Sequence, residues 1–245
     1  MPCLRAEAIS VDFGSLKALD AVDLVLNWGE ILGLIGPNGS GKTTLINAIT
    51  GQVPLSAGRV LCDGEDISAR PPHERALCGI LRSFQTVRLF RDLTVSENIE
   101  VAVVAKGGSR REAQRIARPL IEEFGLGGKC DELARTLSYG DERRVEIARA
   151  LAADPKYLLL DEPAAGMNEE ETDGLLSILK TLPERRGLGV IIIDHDMPLI
   201  MRLSSRLQVL ASGRTIATGG VDEVRNAPAV IEAYLGSDAG ELRHA

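Results

Sequence analysis

The sequence has few aromatic residues and no excess of positive charge. Aromatic side chains make up 3% of its 245 residues, and the formal net charge is −7. Proteins that bind DNA or RNA usually present a basic surface and aromatic rings that stack on bases. The composition therefore argues against a nucleic-acid partner.

Long apolar runs are also missing. The most apolar segments, 158–160 and 190–193, have the length of strands, whereas a membrane-spanning helix needs about 20 apolar residues. The first residues lack the apolar run of a secretory signal. The four cysteines show no C-x-x-C spacing, which is typical of reduced thiols in a cytosol. We therefore expect a globular protein that reaches a membrane only through a partner.

Apolar patterning predicts an α/β fold. A continuous apolar run at 31–35 is typical of a strand covered on both faces, and three later segments have the same character: 80–84, 157–160 and 190–193. Two earlier segments show apolar residues on one face, the first at Ile9, Val11 and Phe13 and the second between 19 and 26. This alternation predicts two antiparallel strands at the start of the chain.

The middle of the chain has a different character, since it is charged, helical in pattern and interrupted by glycines. We expect residues 1–85 and 155–235 to form the core of one domain, with 86–154 as an inserted helical subdomain. Residues 236–245 are predicted to be a flexible tail. Thr94 and Glu97 have the spacing of a capping box, which predicts the start of the first inserted helix.

A glycine-rich loop with G-x-x-x-x-G-K-T spacing follows the strand predicted at 31–35. Its glycines let backbone N–H groups turn toward a phosphate, and the dipole of the following helix adds positive potential. Lys42 is placed to reach the β- and γ-phosphates, and the Thr43 hydroxyl is a magnesium ligand. The loop therefore predicts binding of ATP and Mg²⁺ by Gly36, Asn38, Gly39, Ser40, Gly41, Lys42, Thr43 and Thr44.

Polar residues also follow the other buried strands, and ligands of open α/β sheets bind at the carboxyl ends of strands. We expect Asp161 to help hold Mg²⁺ and Glu162 to act as a general base toward the attacking water. His195 is expected to contact the γ-phosphate during catalysis. Gln85 is expected to take part in both magnesium binding and catalysis.

A second helix is predicted to begin near Ser138, where Asp141 and Glu142 suit the helix dipole. An ordinary capped helix explains these residues by themselves, and the two carboxylates would oppose a phosphate. The other interpretation is that this helix start receives a phosphate held by another copy of the same fold.

Over nearly its whole length the sequence resembles an ATP-binding-cassette (ABC) ATPase, a P-loop NTPase. The motifs are the Walker A loop at 36–44, the Q-loop residue Gln85, the signature at 137–141, the Walker B strand at 158–162, the D-loop at 165–168 and the switch residue His195. In that family two ATPase domains pack head to tail, which implies that Ser138 and Gly140 complete the ATP site of the second domain. The resemblance also implies that Phe13 stacks on adenine, although Phe13 equally fits the face of a core strand.

Several strings are similar to the ATP-binding subunits of branched-chain amino acid importers, at 82–90, 137–140, 164–168 and 233–236. Tyr139 stands where most ABC proteins have glycine, and Asp141 where most have glutamine. The resemblance implies a peripheral ATPase on the cytoplasmic face of the inner membrane. Its partners would be an identical or different second ATPase subunit, permease subunits and, indirectly, a solute-binding protein.

Other functions remain open at this point. Within the family, the cargo of an importer could be urea or an amide, and a lipopolysaccharide exporter is the nearest rival. Outside transport, the alternatives are a soluble ABC ATPase acting on ribosomes or DNA and a P-loop kinase for a small molecule. A kinase would not need the signature helix. Residues 88–91 are predicted to contact a permease, with local packing as the other interpretation.

Overall fold

Two β-sheets and nine α-helices make up the part of the chain that this computed structural model describes, residues 2–84 and 86–235. The strands are β1 (Cys3–Phe13), β2 (Leu16–Asn27), β3 (Ile31–Ile35), β4 (Ala57–Cys62), β5 (Glu65–Asp66), β6 (Ile80–Arg82), β7 (Tyr157–Asp161), β8 (Gly189–Ile193), β9 (Arg206–Ala211) and β10 (Arg214–Gly219). The helices are α1 (Lys42–Ile49), α2 (Pro72–Leu77), α3 (Val95–Ala105), α4 (Arg110–Glu123), α5 (Tyr139–Ala152), α6 (Glu169–Arg186), α7 (Met197–Leu203), α8 (Val221–Arg225) and α9 (Pro228–Leu235). None of these helices combines the length and the apolar character that crossing a bilayer requires.

The larger sheet has six strands in the order β10-β9-β3-β8-β7-β6. All neighbouring strands are parallel except β10, which pairs antiparallel with β9. Every residue of β3, β7 and β8 is buried. Alternate residues of β7 reach different cores, since Leu158 and Leu160 pack among the helices whereas Tyr157 and Leu159 pack toward the smaller sheet. The prediction of strands covered on both faces is confirmed for β3, β7 and β8, whereas β6 at the edge of the sheet is only partly buried.

The smaller sheet is antiparallel, with the strand order β2-β1-β4-β5. Leu4 pairs with Leu26 and Ala6 with Leu24, and all four residues are buried. The expected antiparallel β subdomain is therefore confirmed. It also contributes one wall of the second core, which it shares with α1 and the inner face of the larger sheet.

Phe13 does not lie in the core, which contradicts one of its two interpretations. Ile9 and Val11 are buried, but Phe13 is 50% exposed at the end of β1. The pairing of β1 with β2 shifts register between Ile9 and Val11 and again between Val11 and Asp12. Such irregularities change which face a side chain occupies, so simple alternation fails before it reaches Phe13.

The helices α3, α4 and α5 all lie within the segment expected to be the helical insert, although its boundaries remain a prediction. The capping box at the start of α3 is confirmed. The Thr94 hydroxyl accepts a hydrogen bond from the backbone N–H of Glu97 at 3.2 Å, and the Glu97 carboxylate accepts one from the N–H of Thr94 at 2.9 Å. In α5, one face of the helix is buried: Val145, Ala148, Leu151 and Ala152.

Strand β6 ends two residues earlier than the apolar pattern predicts. The backbone N–H of Ser83 still donates to the carbonyl of Leu159 at 2.9 Å, while the Ser83 hydroxyl accepts the N–H of Asp161 at 3.2 Å. Ser83 thus supports the end of β7 with its side chain. Gln85, a predicted site residue two positions after Ser83, lies outside the described residues, as does the expected tail at 236–245.

Arg75 is a buried cation that joins α2 to the end of α1. It is 3% exposed, and its guanidinium donates hydrogen bonds of 2.7–2.9 Å to the carbonyl oxygens of Ala48, Ile49, Ser68 and Arg70. The last carbonyls of a helix have no partner within the helix. Arg75 therefore supplies donors to the end of α1 from a segment about 26 residues away.

The substitution Arg75→Met is expected to lower the free energy of unfolding by about 2–4 kcal/mol, because buried carbonyls lose a charged donor. Urea unfolding followed by circular dichroism would measure this change. Arg59→Met is the matched control, since Arg59 is exposed and pairs with Glu7 at the surface; little change is expected there. Equal unfolding midpoints for the two variants would contradict the role of Arg75.

Candidate functional site

The carboxyl ends of β3, β7 and β8 meet at one edge of the larger sheet, beside a cavity of about 570 Å³. Most of the predicted site residues line this cavity: Phe13, Asn38, Gly39, Ser40, Gly41, Lys42, Thr43, Thr44, Asp161 and Glu162. These predicted residues come from three separate parts of the sequence and therefore surround one space. Gly36 lies behind the lining, at the start of the loop.

Two glycines are required by the backbone of the loop. Gly36 has φ +146°, and a Cβ atom there would lie 2.0 Å from the carbonyl oxygen of Leu210. Gly41 has φ +106° at the N-cap of α1, where a Cβ atom would lie 2.9 Å from the carbonyl oxygen of Ala18. A side chain at either position would push the loop away from β9 or from the hairpin of β1 and β2.

Lys42 lies across the inside of the loop that precedes it. Its Nζ donates hydrogen bonds to the carbonyl oxygens of Gly36 at 2.5 Å and Pro37 at 3.0 Å. Burial lowers the pKa of Lys42, whereas the nearby carboxylates of Asp161 and Glu162 act in the opposite direction. The ammonium group is thus directed at the centre of the loop, where a phosphate would need a positive charge.

The lining of the cavity fits a phosphate with its magnesium ion. The Ser40 hydroxyl oxygen is buried without a hydrogen-bond partner among the described residues, so it is available to a phosphate oxygen. A hydroxyl from Thr43 and a carboxylate from Asp161 face the same cavity, and Mg²⁺ prefers oxygen ligands of this kind. Within residues 2–84 and 86–235 there is no cluster of three potential His, Cys, Asp or Glu ligands. A magnesium ion that arrives with a nucleotide needs only one or two protein ligands.

Asp161 is a nearly buried part of the cavity lining. It is 5% exposed, and its carboxylate lies 3.7 Å from the guanidinium of Arg82. Burial raises the pKa of Asp161, and the charge of Arg82 opposes that shift. The neighbouring cation therefore helps to keep a buried carboxylate ionised.

Glu162 lines the cavity, and His195 lies beside Glu162 without being part of the lining. Glu162 leaves the strand with φ +48°, an uncommon backbone conformation for a residue with a side chain. Its Oε1 lies 3.8 Å from Nδ1 of His195, whose side chain is 71% exposed. Asp194 Oδ1 lies 3.6 Å from the same nitrogen, so two carboxylates lie near this side of the imidazole.

Ser138 and Gly140 are not part of the cavity lining in this single chain. Ser138 is exposed at the N-cap of α5, where its hydroxyl accepts the N–H of Asp141 at 3.2 Å and donates to the Asp141 carboxylate at 2.9 Å. The structure thus confirms the predicted cap. It places this helix start away from the residues that surround Lys42.

The two carboxylates at the start of α5 are each paired with a cation. Asp141 accepts a hydrogen bond from Lys129, and Glu142 lies 3.9 Å from Arg91. Although burial acts against ionisation of Asp141, the hydrogen bonds from Lys129 and Ser138 lower its pKa. The expected repulsion of a phosphate by these carboxylates is therefore reduced by neighbouring positive charge.

Sequence reasoning missed several residues of the cavity, among them Ser212 and Gly213. They form the turn after β9, where Ser212 has φ +47° and Gly213 has φ +75°. The Ser-Gly pair between two short strands was a turn signal in the sequence. Of the other missed residues, 16–18 belong to the hairpin that also carries Phe13, and Ile193 is the last residue of β8.

Comparisons with known proteins agree with this arrangement of loops. A family model described as "ABC transporter" matches residues 19–165. A second model, described as "Branched-chain amino acid ATP-binding cassette transporter", matches residues 214–240.

Curated relatives are similar over almost the full chain. The high-affinity branched-chain amino acid transport ATP-binding protein BraF of Pseudomonas aeruginosa is 38% identical over 250 residues, covering 96% of this chain and 98% of BraF. The lipopolysaccharide export system ATP-binding protein LptB of Haemophilus influenzae is 42% identical over 237 residues, covering 96% of this chain and 98% of LptB. Among solved structures, the ADP conformation of an ATP-binding cassette of an ABC transporter superposes with a TM-score of 0.86 and 34% identity, over 96% of this chain and 99% of that one.

Replacing Lys42 by alanine is expected to weaken ATP binding by about tenfold or more, because a hydrogen bond to a charged group contributes about 1.5–3 kcal/mol. Isothermal titration calorimetry with MgATP would measure the dissociation constant. Lys17→Ala is the matched control: Lys17 also lines the cavity, but its side chain is 54% exposed and pairs with Asp20. An unchanged dissociation constant for Lys42→Ala would argue against a phosphate in this loop.

Proposed function

Because this chain belongs to the ABC transporter ATPase family, we propose that it hydrolyses ATP to power the import of branched-chain amino acids. Membership of the family makes it an ATP hydrolase coupled to transport. The observation that carries the proposal is the convergence of Lys42, Asp161 and Glu162 on one cavity at the carboxyl ends of parallel strands.

The choice of cargo is supported by two separate resemblances. The model that matches residues 214–240 is named for branched-chain amino acid transporters, and BraF carries the same solute in its name. Lipopolysaccharide export is the second candidate, since LptB is 42% identical. ATPase assays on the purified transporter, with leucine, isoleucine or valine and their binding protein, would separate the two: stimulation by these solutes supports import.

The residues that surround the cavity have distinct proposed roles. Lys42 and the loop glycines hold the β- and γ-phosphates, while Thr43 and Asp161 would hold Mg²⁺, with Gln85 as a further ligand. When bound, the magnesium ion supplies charge stabilisation to the phosphates. Phe13, half exposed at the cavity rim, is placed to stack on the adenine ring.

Glu162 is the proposed general base. Its carboxylate is partly exposed at the mouth of the cavity and close to His195, where a water molecule could approach a phosphate. Glu162 accepts a proton from that water, and His195 donates a hydrogen bond to the γ-phosphate. Asp161, buried beside Arg82, is less accessible to the attacking water and serves the metal instead.

The signature helix is proposed to bind a nucleotide that a second ATPase subunit holds. Ser138 is exposed at the start of α5 and does not line the cavity around Lys42 in the same chain. A γ-phosphate held by a partner subunit would meet backbone N–H groups at this helix start, an arrangement that favours anions. The pairing of Asp141 with Lys129 makes the approach of that phosphate easier.

The permease is proposed to bind a groove of about 750 Å³ between the core and the helical segment. Phe90 lies at this groove with its ring 52% exposed. Asn98 fixes the backbone on both sides of that ring: its Oδ1 accepts the N–H of Phe90 at 2.9 Å, and its Nδ2 donates to the Phe90 carbonyl at 3.0 Å. A fixed backbone and an outward ring suit an interface better than local packing. This contact would bring the subunit to the membrane as a peripheral protein, with the solute-binding protein acting through the permease.

Glu162→Gln is expected to retain ATP binding while turnover falls by about 10²–10³-fold or more, because the amide cannot accept a proton and a catalytic electrostatic group is lost. Phosphate release by the assembled transporter would measure turnover. Glu170→Gln, at an exposed position of α6, is the control that changes charge without touching the cavity. Normal hydrolysis by Glu162→Gln would refute its role.

Phe90→Asp is expected to abolish co-purification with the permease, because a charge replaces the apolar ring at the groove. A pull-down from detergent-solubilised membranes would show it. Trp28→Asp provides a comparison, since Trp28 is similarly exposed, at 49%, in the turn between β2 and β3. Intact complexes with Phe90→Asp would reject this interface.

A further inference from the structure

Tyr139, the unusual residue of the signature, packs against the D-loop of its own chain. Gly166 of that loop has φ +77°, and a Cβ atom there would lie 3.1–3.2 Å from two ring carbons of Tyr139. The ring therefore lies so close to the backbone at Gly166 that a methyl group there would require it to move by a few tenths of an ångström. Tyr139 is nevertheless 40% exposed, so this contact is at the surface and not within a core.

Arg143, one helical turn after Tyr139, connects that ring to the site residues. Its side chain is fully buried. One terminal nitrogen donates to the carbonyl oxygen of Phe84 at 2.7 Å and to the Glu146 carboxylate at 2.8 Å. The other lies 3.4 Å from the Tyr139 hydroxyl and 3.4 Å from the carbonyl oxygen of Glu162. One guanidinium thus contacts the signature, the residue before Gln85 and the residue proposed as general base.

The backbone of Glu162 needs such support. Its φ of +48° is a conformation that costs a residue with a side chain about 1–2 kcal/mol. Its N–H donates to the carbonyl oxygen of Ile193 at 2.7 Å, and its own carbonyl accepts the N–H of Ala165 at 3.2 Å together with Arg143. The first bond fixes Glu162 to β8, whereas the other two depend on the D-loop and on α5.

We propose that Tyr139 is a positioning residue that transmits the position of the signature helix to Glu162 of the same chain, through Arg143 and Gly166. This inference rests on the proposed function. A partner subunit that docks at Ser138 presses on the first turn of α5. The Tyr139 ring and the Arg143 guanidinium then carry that displacement to the carbonyl group of Glu162, which accepts from Ala165 of the D-loop and from Arg143. The site that a chain completes in its partner is thereby linked to the site that it carries itself.

The test uses the assembled transporter with Tyr139→Phe, Tyr139→Ala, Gly166→Ala and the double variant Tyr139→Ala/Gly166→Ala. Tyr139→Ala is expected to lower kcat about tenfold with KM for ATP unchanged, since small losses of position at a reacting group cost on this scale. Tyr139→Phe keeps the ring on Gly166 and loses only the hydroxyl, so its kcat should lie between those of Tyr139→Ala and the wild type.

The double variant isolates the contact between the two residues. Gly166→Ala should lower kcat more in the wild type than in Tyr139→Ala, because the ring that the new methyl group would displace is absent in the second case, while the backbone cost at φ +77° remains in both. Thermal unfolding of each purified subunit provides the structural control. The Tyr139 variants should melt within about 2 °C of the wild type, as is usual for substitutions at exposed positions.

Any of four results would overturn the inference: wild-type kcat in Tyr139→Ala, additive effects of the two substitutions, a rise in KM with kcat unchanged, or a loss of kcat that follows a matching loss of thermal stability. These outcomes are distinct from failure of the proposed function. An inactive Glu162→Gln beside fully active Tyr139 variants contradicts the link alone, whereas an active Glu162→Gln contradicts the catalytic role itself.

Discussion

The register of three parallel strands is the constraint on which the site depends. Ile193 at the end of β8 pairs with Leu34 of β3 on one side and with Asp161 of β7 on the other. The three strands therefore end at the same level. The glycine loop, the carboxylate pair and the segment that carries His195 all emerge at that level, although they come from distant parts of the sequence. If either pairing slipped by one residue, Asp161 and Glu162 would each point to the opposite face of the sheet.

The covering of the larger sheet on both faces explains how this edge is kept rigid. Helices pack on one face, and α1 with the smaller antiparallel sheet packs on the other. The smaller sheet has a second effect, since the turn between β1 and β2 brings Phe13 and residues 16–18 to the cavity rim. The two ends of this hairpin therefore have different roles. The buried pairs near Leu4 stabilise the core, and the exposed end near Phe13 faces the cavity.

Much of this arrangement could be read from the sequence, because local signals determined it. Continuous apolar runs predicted β3, β7 and β8, glycine spacing predicted the loop around Lys42, and capping residues predicted the start of α3. The fold class is confirmed by these elements and by the related cassettes. Phe13 could not be assigned by alternation, because irregular pairing of β1 moved it out of the core.

The connections between distant segments were beyond such reasoning. Arg75 and Arg143 look like ordinary helix-surface residues in the sequence, yet each is buried and donates to carbonyl oxygens far away in the chain. Nothing in their immediate neighbours indicates those acceptors. Strand β9 was missed because Arg206 and Gln208 interrupt its apolar run, and its turn at Gly213 was missed with it.

The pairing of Lys129 with Asp141 matters for the design of chimeras in which a segment of one cassette is grafted into another. The lysine precedes the signature by eight residues and lies in a short helical turn after α4, so a graft limited to the signature pentapeptide would transfer the carboxylate without its counter-ion. In a host whose own sequence supplies a neutral residue in place of Lys129, the transplanted helix start would bring an uncompensated negative charge to the proposed subunit interface. A chimera built from this chain should therefore take residues 129–141 as one unit.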